Sequence, residues 1–323
     1  MANLIRSGLR GRGANLLKAL ITLALLGVLA ATVDLRRVGQ ALLGVCWQEL
    51  VGALLLYQAG MLVRAYRWQA LLEGLGEHMS LSRVLGLYYV GAFFSNFLPS
   101  GFGGDVVRTL EVSRDGTGGA RALSTVLMDR FMGLAVLLAM ALCALPFSWH
   151  LVPHSAAIAV IVLAACTGLV LTVVVNQRLA AYLAQRSRWV KKAFERQALA
   201  DFCTSFQRYG QMALLRAAGA SLVFNLMLIS TQMLLGAAVG VRIAAGHYFI
   251  FVPIISSLLV LPISLSGLGV REGGYVLLFG QVGVSAGQAT AMSLLFYGLN
   301  LATGLVGAGL YVGQVLRRER KTA

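Results

Sequence analysis

Long apolar runs separated by short basic segments dominate the pattern of hydrophobic and polar positions along the chain. A helix needs roughly 20 consecutive apolar residues to cross a bilayer. Six runs come close to this length or exceed it, and we predict a membrane-spanning helix for each: 16–33, 50–66, 121–147, 155–175, 217–240 and 289–315. The pattern therefore predicts an all-α polytopic membrane protein.

Two further apolar stretches are interrupted by nearly the same sequence. LPSGFGGDVVR (98–108) and LPISLSGLGVRE (261–272) both place Leu-Pro before Ser-Gly-x-Gly and follow it with an arginine. We interpret both as re-entrant hairpins, over 82–112 and 248–282, because irregular backbone is tolerated at membrane depth only against protein or water. Chance recurrence is the alternative, since the chain contains 37 glycines.

Basic residues set the predicted orientation. The net charge is +15. In a membrane protein, Lys and Arg mark cytoplasmic loops and contact anionic headgroups, so we expect no nucleic acid partner. A single crossing at 84–98 would leave Arg108, Arg114 and Arg121 outside, whereas a hairpin returns them to the cytoplasm. We therefore place both termini in the cytoplasm and expect the hairpins to enter the cell membrane from opposite faces.

The chain forms one predicted membrane domain, 1–323, with two halves. The first half, 1–176, contains the first hairpin, and the second half, 214–323, contains the second. A basic linker, 177–213, is predicted to lie on the cytoplasmic surface as amphipathic helices. Broken segments at matching positions indicate an inverted repeat with a substrate site near mid-membrane.

Composition supports this class and narrows the chemistry. Hydrophobic residues make up 58% of the chain and charged residues only 12%, whereas soluble domains carry about 25% charged residues. The mean hydropathy is +0.79. The four cysteines show no Cys-x-x-Cys spacing, so we predict neither a metal site nor a disulfide framework. No P-loop or HExxH motif occurs, and we predict no catalytic residue and no cofactor.

Charged residues inside the apolar segments are the candidate substrate-binding groups, because an unpaired charge at mid-bilayer is costly. Asp105, Arg108 and Glu111 share one helix face at spacings of three residues. For these the alternative is an amphipathic helix with solvated charges, and for Asp129 and Arg130 it is a structural pair that joins two helices. The predicted set is Asn96, Asp105, Arg108, Glu111, Asp129, Arg130, Arg271 and Glu272.

The glycines and prolines of the two breaks are predicted hinge positions: Pro99, Gly101, Gly103, Gly104, Pro262, Gly267 and Gly269. Helix N-termini that follow such glycines favour anions. Arginine forms fork-shaped hydrogen bonds with phosphate, and neighbouring carboxylates would pair with an amine. We therefore expect an anionic or zwitterionic phospholipid headgroup as the ligand, with both breaks contributing to one site.

Three stretches resemble the lysylphosphatidylglycerol synthase transmembrane-domain family: NFLPSGFGGDVVRTLEV, STVLMDRFMGL and LPISLSGLGVREGGYVLLFG. The resemblance covers nearly the whole chain and implies re-entrant helices around a central lipid cavity. It also implies the flippase half of a two-part protein, in which a cytosolic transferase domain aminoacylates phosphatidylglycerol and the membrane domain moves the product outward. Because this sequence ends at RRERKTA after its last span, we expect no aminoacyl transfer.

These observations predict a lipid transporter, or flippase, that moves a polar lipid between leaflets. The lipid could be aminoacylated, another phospholipid or a glycolipid. One alternative is an integral-membrane lipid-headgroup transferase, for which Asp129 and Glu272 are the available carboxylates. Another is a noncatalytic partner that recruits a separate synthetase through the basic segment 178–216. Small residues on exposed helix faces permit a homodimer.

Overall fold

A computed structural model describes Gly27 and residues 34–97, 103–175, 208–259 and 267–322, and every regular element in these ranges is an α-helix. We number the helices α1 (Leu35–Leu43), α2 (Trp47–Gly74), α3 (Leu81–Phe97), α4 (Gly103–Arg114), α5 (Gly119–Ser148), α6 (His154–Val175), α7 (Gln211–Ala238), α8 (Ala245–Leu258), α9 (Val270–Gly280) and α10 (Ala286–Thr322).

Four of these helices are long and apolar enough to cross a membrane, which confirms the predicted polytopic all-α class. They are α5, α6, α7 and α10. The pair of α1 and α2, bent by 85° at its break, makes a fifth candidate. Several predictions lie outside the described residues: the span 16–33, most of the linker 177–213, and the hinge positions Pro99, Gly101 and Pro262.

Helix α2 extends beyond the span predicted at 50–66. It continues to Gly74 because Trp68 and Leu72, which follow Arg67, are completely buried. Arg67 is itself buried, at 4% exposure, so it lies inside the helix bundle.

Helices α3 and α4 form an antiparallel pair, hairpin 1. At its tip the N–H of Gly104 donates to Oγ of Ser95 at 3.2 Å. At its open end Arg83, near the start of α3, pairs with Asp115, just beyond α4, at 3.1 Å; we call this side of the bundle the ion-paired end. Helix α4 is about 18 Å long and cannot cross a hydrocarbon core of about 30 Å. The second helix of hairpin 1 is therefore too short to be a membrane span by itself, and the re-entrant placement of the hairpin stays a prediction.

Helices α8 and α9 form a second antiparallel pair, hairpin 2. Tyr248 near the start of α8 packs on Phe279 near the end of α9, with ring centroids 5.3 Å apart, and Ile255 lies beside Gly274 nearer the tip. These helices are about 21 and 16 Å long, too short to cross singly. The chain enters α9 through Gly269, whose φ of +82° lies in the left-handed region that favours glycine.

The two hairpins open at opposite ends of the bundle. Helices α2 and α7 are antiparallel: Gly74 at the end of α2 packs on Tyr209, just before α7. At the other end of this pair, the N–H of Cys46 donates to the carbonyl oxygen of Ala238 at 2.9 Å. Hairpin 1 follows the end of α2 and hairpin 2 follows the end of α7, so the hairpins start from opposite sides.

The tips of both hairpins contact helix α10. Nδ2 of Asn96 in hairpin 1 donates to the carbonyl oxygen of Asn300 at 3.0 Å. Nε of Arg271 in hairpin 2 donates to Oγ of Ser293 at 3.1 Å. These two positions on α10 are about 10 Å apart along the helix axis, so the tips contact neighbouring but different parts of the same helix.

Candidate functional site

The carboxylate of Asp129 in α5 lies at the centre of a buried charged layer beside hairpin 1, with 1% exposure. One oxygen accepts from Nε of Arg67 in α2 at 2.7 Å. The other accepts from Nη1 of Arg108 in α4 at 3.3 Å and from the hydroxyl of Tyr88 in α3. A single carboxylate therefore joins α2, α3, α4 and α5.

Arg67 extends this layer to α7. Its Nη1 donates to Oγ of Ser221 at 3.2 Å, and its side chain is nearly inaccessible. Gly133 in α5 lies against the guanidinium group, and a Cβ atom at this position would overlap Nη1. The missing side chain at Gly133 thus leaves the room that Arg67 occupies.

Arg108 connects Asp129 to a second carboxylate, Asp105, one turn earlier in α4. Nη2 of Arg108 lies 2.5 Å from Oδ1 of Asp105, and Arg130 pairs with the other oxygen of Asp105. The Arg108 guanidinium also stacks over the Trp68 ring, 4.9 Å from its centroid, in a cation–π contact. Because Asp105, Arg108 and Asp129 are buried, each of them depends on its partners for stability.

The start of α4 explains why these groups can meet. Gly104 approaches α3 so closely that a Cβ atom would overlap the carbonyl oxygen of Gly91 and the hydroxyl of Ser95. Asp105 occupies the first helical turn, where the helix dipole favours a carboxylate. Arg108 follows on the same helix face, so the sequence GGDVVR places both charges against α5.

A cavity of about 140 Å³ lies between α2, hairpin 1, α5 and α10. Its charged lining comprises Arg64, Asp105, Arg108 and Arg130, and its neutral polar lining includes Ser95, Asn96, Asn300 and Thr303. The Arg130 side chain is 42% exposed, so the cavity reaches the protein exterior beside it. The volume is below the roughly 300–1,000 Å³ of pockets that enclose whole small ligands. The space therefore suits the polar end of a larger molecule.

The charged layer lies well inside the bundle, about 10–15 Å from the helix ends on the ion-paired side. Arg67 precedes the end of α2 at Gly74 by about 10 Å, and Asp129 follows the start of α5 at Gly119 by about 15 Å. At this depth a charge needs partners within the protein, which the contacts around Asp129 provide.

Glu111 lies nearer the ion-paired end and is not part of the cavity lining. Its carboxylate pairs with Arg83 at 3.2 Å and with Arg114 at 2.8 Å. The Arg114 side chain is 63% exposed, so these ion pairs lie at the surface of the bundle. Glu111 itself is buried, at 6% exposure, so it is not the solvated charge of the amphipathic-helix alternative, and its role in substrate binding stays a prediction.

The charged pair of the second break, Arg271 and Glu272, forms a separate cluster at the tip of hairpin 2. Glu272 accepts from the N–H of Gly269 at 2.6 Å and so caps the start of α9. Its other oxygen lies 3.2 Å from Nη2 of Arg271 and accepts from the hydroxyl of Ser293 at 3.0 Å. Arg271 also stacks over Tyr297, 5.1 Å from the ring centroid. Neither charge is part of the cavity lining beside hairpin 1.

The structure thus brings together five of the eight predicted substrate-binding residues. Asn96, Asp105, Arg108 and Arg130 line the cavity, and Asp129 lies directly behind Arg108. The predicted hinge Gly104 also lines the cavity, where it allows α3 and α4 to approach each other.

Sequence reasoning misses Arg64, Arg67 and Tyr88. If the second span ends at position 66, the two arginines lie at or beyond its end, as loop residues would. The run WQALL, directly after Arg67, is the signal against this, because it continues the helix to Gly74 and so places both arginines inside it. Tyr88 carries no comparable signal, because a tyrosine among apolar residues does not reveal its hydrogen-bond partner.

Comparison with known proteins adds one finding. The family described as lysylphosphatidylglycerol synthase TM region matches residues 15–307, which include both hairpins and the cavity lining. A search of curated protein sequences gave no match. The family match confirms the resemblance seen in the three motifs. The chain therefore belongs to the lysylphosphatidylglycerol synthase TM region family.

Proposed function

We propose that the protein is a lipid transporter that moves the polar headgroup of a membrane lipid between leaflets through the cavity beside hairpin 1. The observation that carries the proposal is a charged cavity surrounded by helices whose outer faces are apolar. The family, an integral membrane one with a lipid-related function, supports the same class of activity. The small cavity volume means that only the headgroup enters, while the acyl chains stay in the bilayer.

An apolar groove beside the cavity would hold the acyl chains in this proposal. The groove, of about 370 Å³, lies between α2 and α10 and is lined by residues that include Trp47, Leu54 and Leu299. Tyr57, one helical turn after Leu54, lines the polar cavity. The groove and the cavity therefore adjoin on α2, and a lipid would place its chain in the first and its headgroup in the second.

The proposed activity includes no bond-forming step. A general acid or base must reach the reacting group, but the two candidate carboxylates are already engaged. Asp129 holds Arg67 and Arg108, and Glu272 holds Arg271 and caps α9. With no P-loop in the sequence, movement follows a lipid gradient or an ion gradient.

In the cell membrane, the ion-paired end faces the cytoplasm in this proposal, because exposed arginines favour that side. Arg114 and Arg121 are 63% and 45% exposed there. A cysteine introduced as Arg114→Cys in an otherwise cysteine-free chain should react with an impermeant maleimide from the cytoplasmic side only. Labelling from the outside would reverse the orientation.

Transport can be tested in proteoliposomes that contain lipids with a fluorescent acyl chain, using dithionite to quench the outer leaflet. Ala92 lines the cavity, so Ala92→Leu should fill the space without removing any charged group. The matched control is Ala59→Leu on α2, because Ala59 is exposed on the lipid-facing side.

The unaltered chain and Ala59→Leu should move lipid at the same rate, and Ala92→Leu should approach protein-free liposomes. Equal rates for all three proteins would show that lipid does not pass through this cavity. No acceleration by the unaltered chain would exclude lipid transport by the chain alone and favour the synthetase-partner alternative.

A further inference from the structure

The lining of the cavity carries more positive than negative charge. Among the described residues, its charged groups are three guanidinium groups and one carboxylate, a net charge of +2: Arg64, Arg108, Arg130 and Asp105. Arg67 and Asp129 lie behind this lining as an ion pair, so together they add no net charge. Excess charge at this depth is costly unless a counter-charge approaches it, so the cavity favours an anion.

Arg64 is the lining arginine for which the described part of the chain provides no carboxylate within ion-pair distance. Its guanidinium lies over the rings of Tyr88 and Phe224, 5.1 and 5.2 Å from their centroids. Its Nη1 lies 3.8 Å from the sulfur of Met61, a weak acceptor. Because aromatic faces attract the cation without accepting its in-plane hydrogen bonds, most of the N–H donors of Arg64 are available to a ligand.

Both carboxylates near the cavity are already paired with arginines. Asp105 uses one oxygen for Arg108 and the other for Arg130. Asp129 is 1% exposed and uses its oxygens for Arg67, Arg108 and a tyrosine hydroxyl. A cationic headgroup would therefore meet an excess of guanidinium groups over carboxylates in the lining, and like charges repel most strongly where water is scarce.

We propose that the cavity selects lipids whose headgroup combines a phosphodiester with a net negative charge, and that Arg64 binds the phosphate through fork-shaped hydrogen bonds. The inference rests on the proposed function for the source of the phosphate, a membrane lipid. It narrows the expectation from the sequence, which included zwitterionic and aminoacylated headgroups.

Binding can be measured by thermal unfolding of the purified full chain in detergent with three added lipids: phosphatidylglycerol, phosphatidylethanolamine and lysylphosphatidylglycerol. Phosphatidylglycerol should stabilise the protein at the lowest concentration. Arg64→Gln should weaken its binding by about ten- to a hundredfold, the effect of losing charge-assisted hydrogen bonds. Arg64→Lys should retain part of the affinity, because it keeps the charge but loses the fork.

The matched control is Arg37→Gln, which removes an arginine charge from a side chain that is 72% exposed and far from the cavity lining. It should bind phosphatidylglycerol like the unaltered chain. Each variant is first compared without lipid, so that any loss of folding is separated from loss of binding.

Inorganic phosphate and the same lipids in proteoliposomes complete the test. Stabilisation by inorganic phosphate would identify free phosphate as a sufficient ligand for Arg64, and stabilisation by phosphatidylglycerol alone would identify the lipid headgroup. Equal binding of the three lipids, or unchanged binding by Arg64→Gln, would overturn the inference. Selective binding without lipid movement would overturn only the proposed transport, whereas movement without headgroup preference would overturn only the selectivity.

Discussion

The two helix breaks share nearly the same sequence but use their charged residues differently. At the first break, Asp105 and Arg108 pair with groups on α5 and line a cavity. At the second break, Arg271 and Glu272 pair with each other and cap their own helix. The charges of the first break therefore border a cavity, whereas those of the second break pair within their own helix.

The difference follows from how each break satisfies its backbone. A helix that starts inside a membrane must find acceptors for its first N–H groups within the protein. In hairpin 2 the acceptor is Glu272, which bonds to the N–H of Gly269. In hairpin 1 the N–H of Gly104 donates to Ser95 on the neighbouring helix, which leaves Asp105 available to bind arginines. The two breaks therefore use different side chains to accept the N–H groups at the starts of their helices.

The largest effect is expected at the centre of the first arrangement. Asp129→Asn leaves Arg67 and Arg108 without their shared counter-charge, and removing one partner of a buried pair costs about 3–5 kcal/mol. Denaturant unfolding in detergent should show this loss. Asp115→Asn, at an exposed ion pair of the ion-paired end, should cost less than about 1 kcal/mol. Similar losses for the two variants would contradict a central role for Asp129.

A smaller effect is expected at the second break. Glu272→Gln retains an acceptor for the N–H of Gly269 but weakens the contact with buried Arg271, so we expect a loss of about 1–3 kcal/mol. Phosphatidylglycerol binding should be unchanged, measured on the same samples. The double variant Arg271→Met and Glu272→Gln should recover part of the stability, because no unpaired charge remains. Loss of lipid binding on Glu272→Gln would mean that the second break contributes to the site.

Two glycines compare the close helix contact in hairpin 1 with an open position in hairpin 2. Gly104→Ala places a Cβ atom against Gly91 and Ser95 and should cost about 1–3 kcal/mol. Gly273→Ala, near the start of α9, meets no atom within 4 Å and should be neutral or gain up to about 1 kcal/mol. Thermal unfolding of both variants measures the contrast, and equal changes would refute it.

The smallest effect is expected at the ion-paired end. Arg83→Gln removes the contacts with Glu111 and Asp115, which are partly exposed and worth about 0.2–1 kcal/mol. The difference from the unaltered chain should shrink in 1 M salt, where screening extends to about 3 Å. Lipid transport should be unaffected. A strong transport defect would place these ion pairs on the lipid pathway.

Local sequence signals were enough to predict the class of protein and part of the site. The i,i+3 spacing of Asp105 and Arg108 places them on one face, and a charged pair at Asp129 and Arg130 inside an apolar span requires partners. These arguments involve one helix at a time. They bring the predicted residues to the correct helix faces without identifying what those faces contact.

The remaining parts of the site depend on contacts between distant positions. Arg67 and Tyr88 are 62 and 41 positions away from Asp129 in sequence, and no periodicity relates them. At the first break the N–H of Gly104 bonds to Ser95, a small hydroxyl that no motif singles out. The two similar motifs therefore predicted a shared site for charges that fold into separate clusters.

The depth of the charged layer has an electrical consequence. Carrying one elementary charge through the whole membrane potential involves about 2.3 kcal/mol per 100 mV. Arg64 lies about 15 Å from the end of α2, which is half of a hydrocarbon core of about 30 Å. In the proposed transport, an anion beside Arg64 would have about half of the voltage drop, or roughly 1.2 kcal/mol per 100 mV, on either side of it. Voltage would therefore act about equally on the passage into the cavity and on the passage out of it.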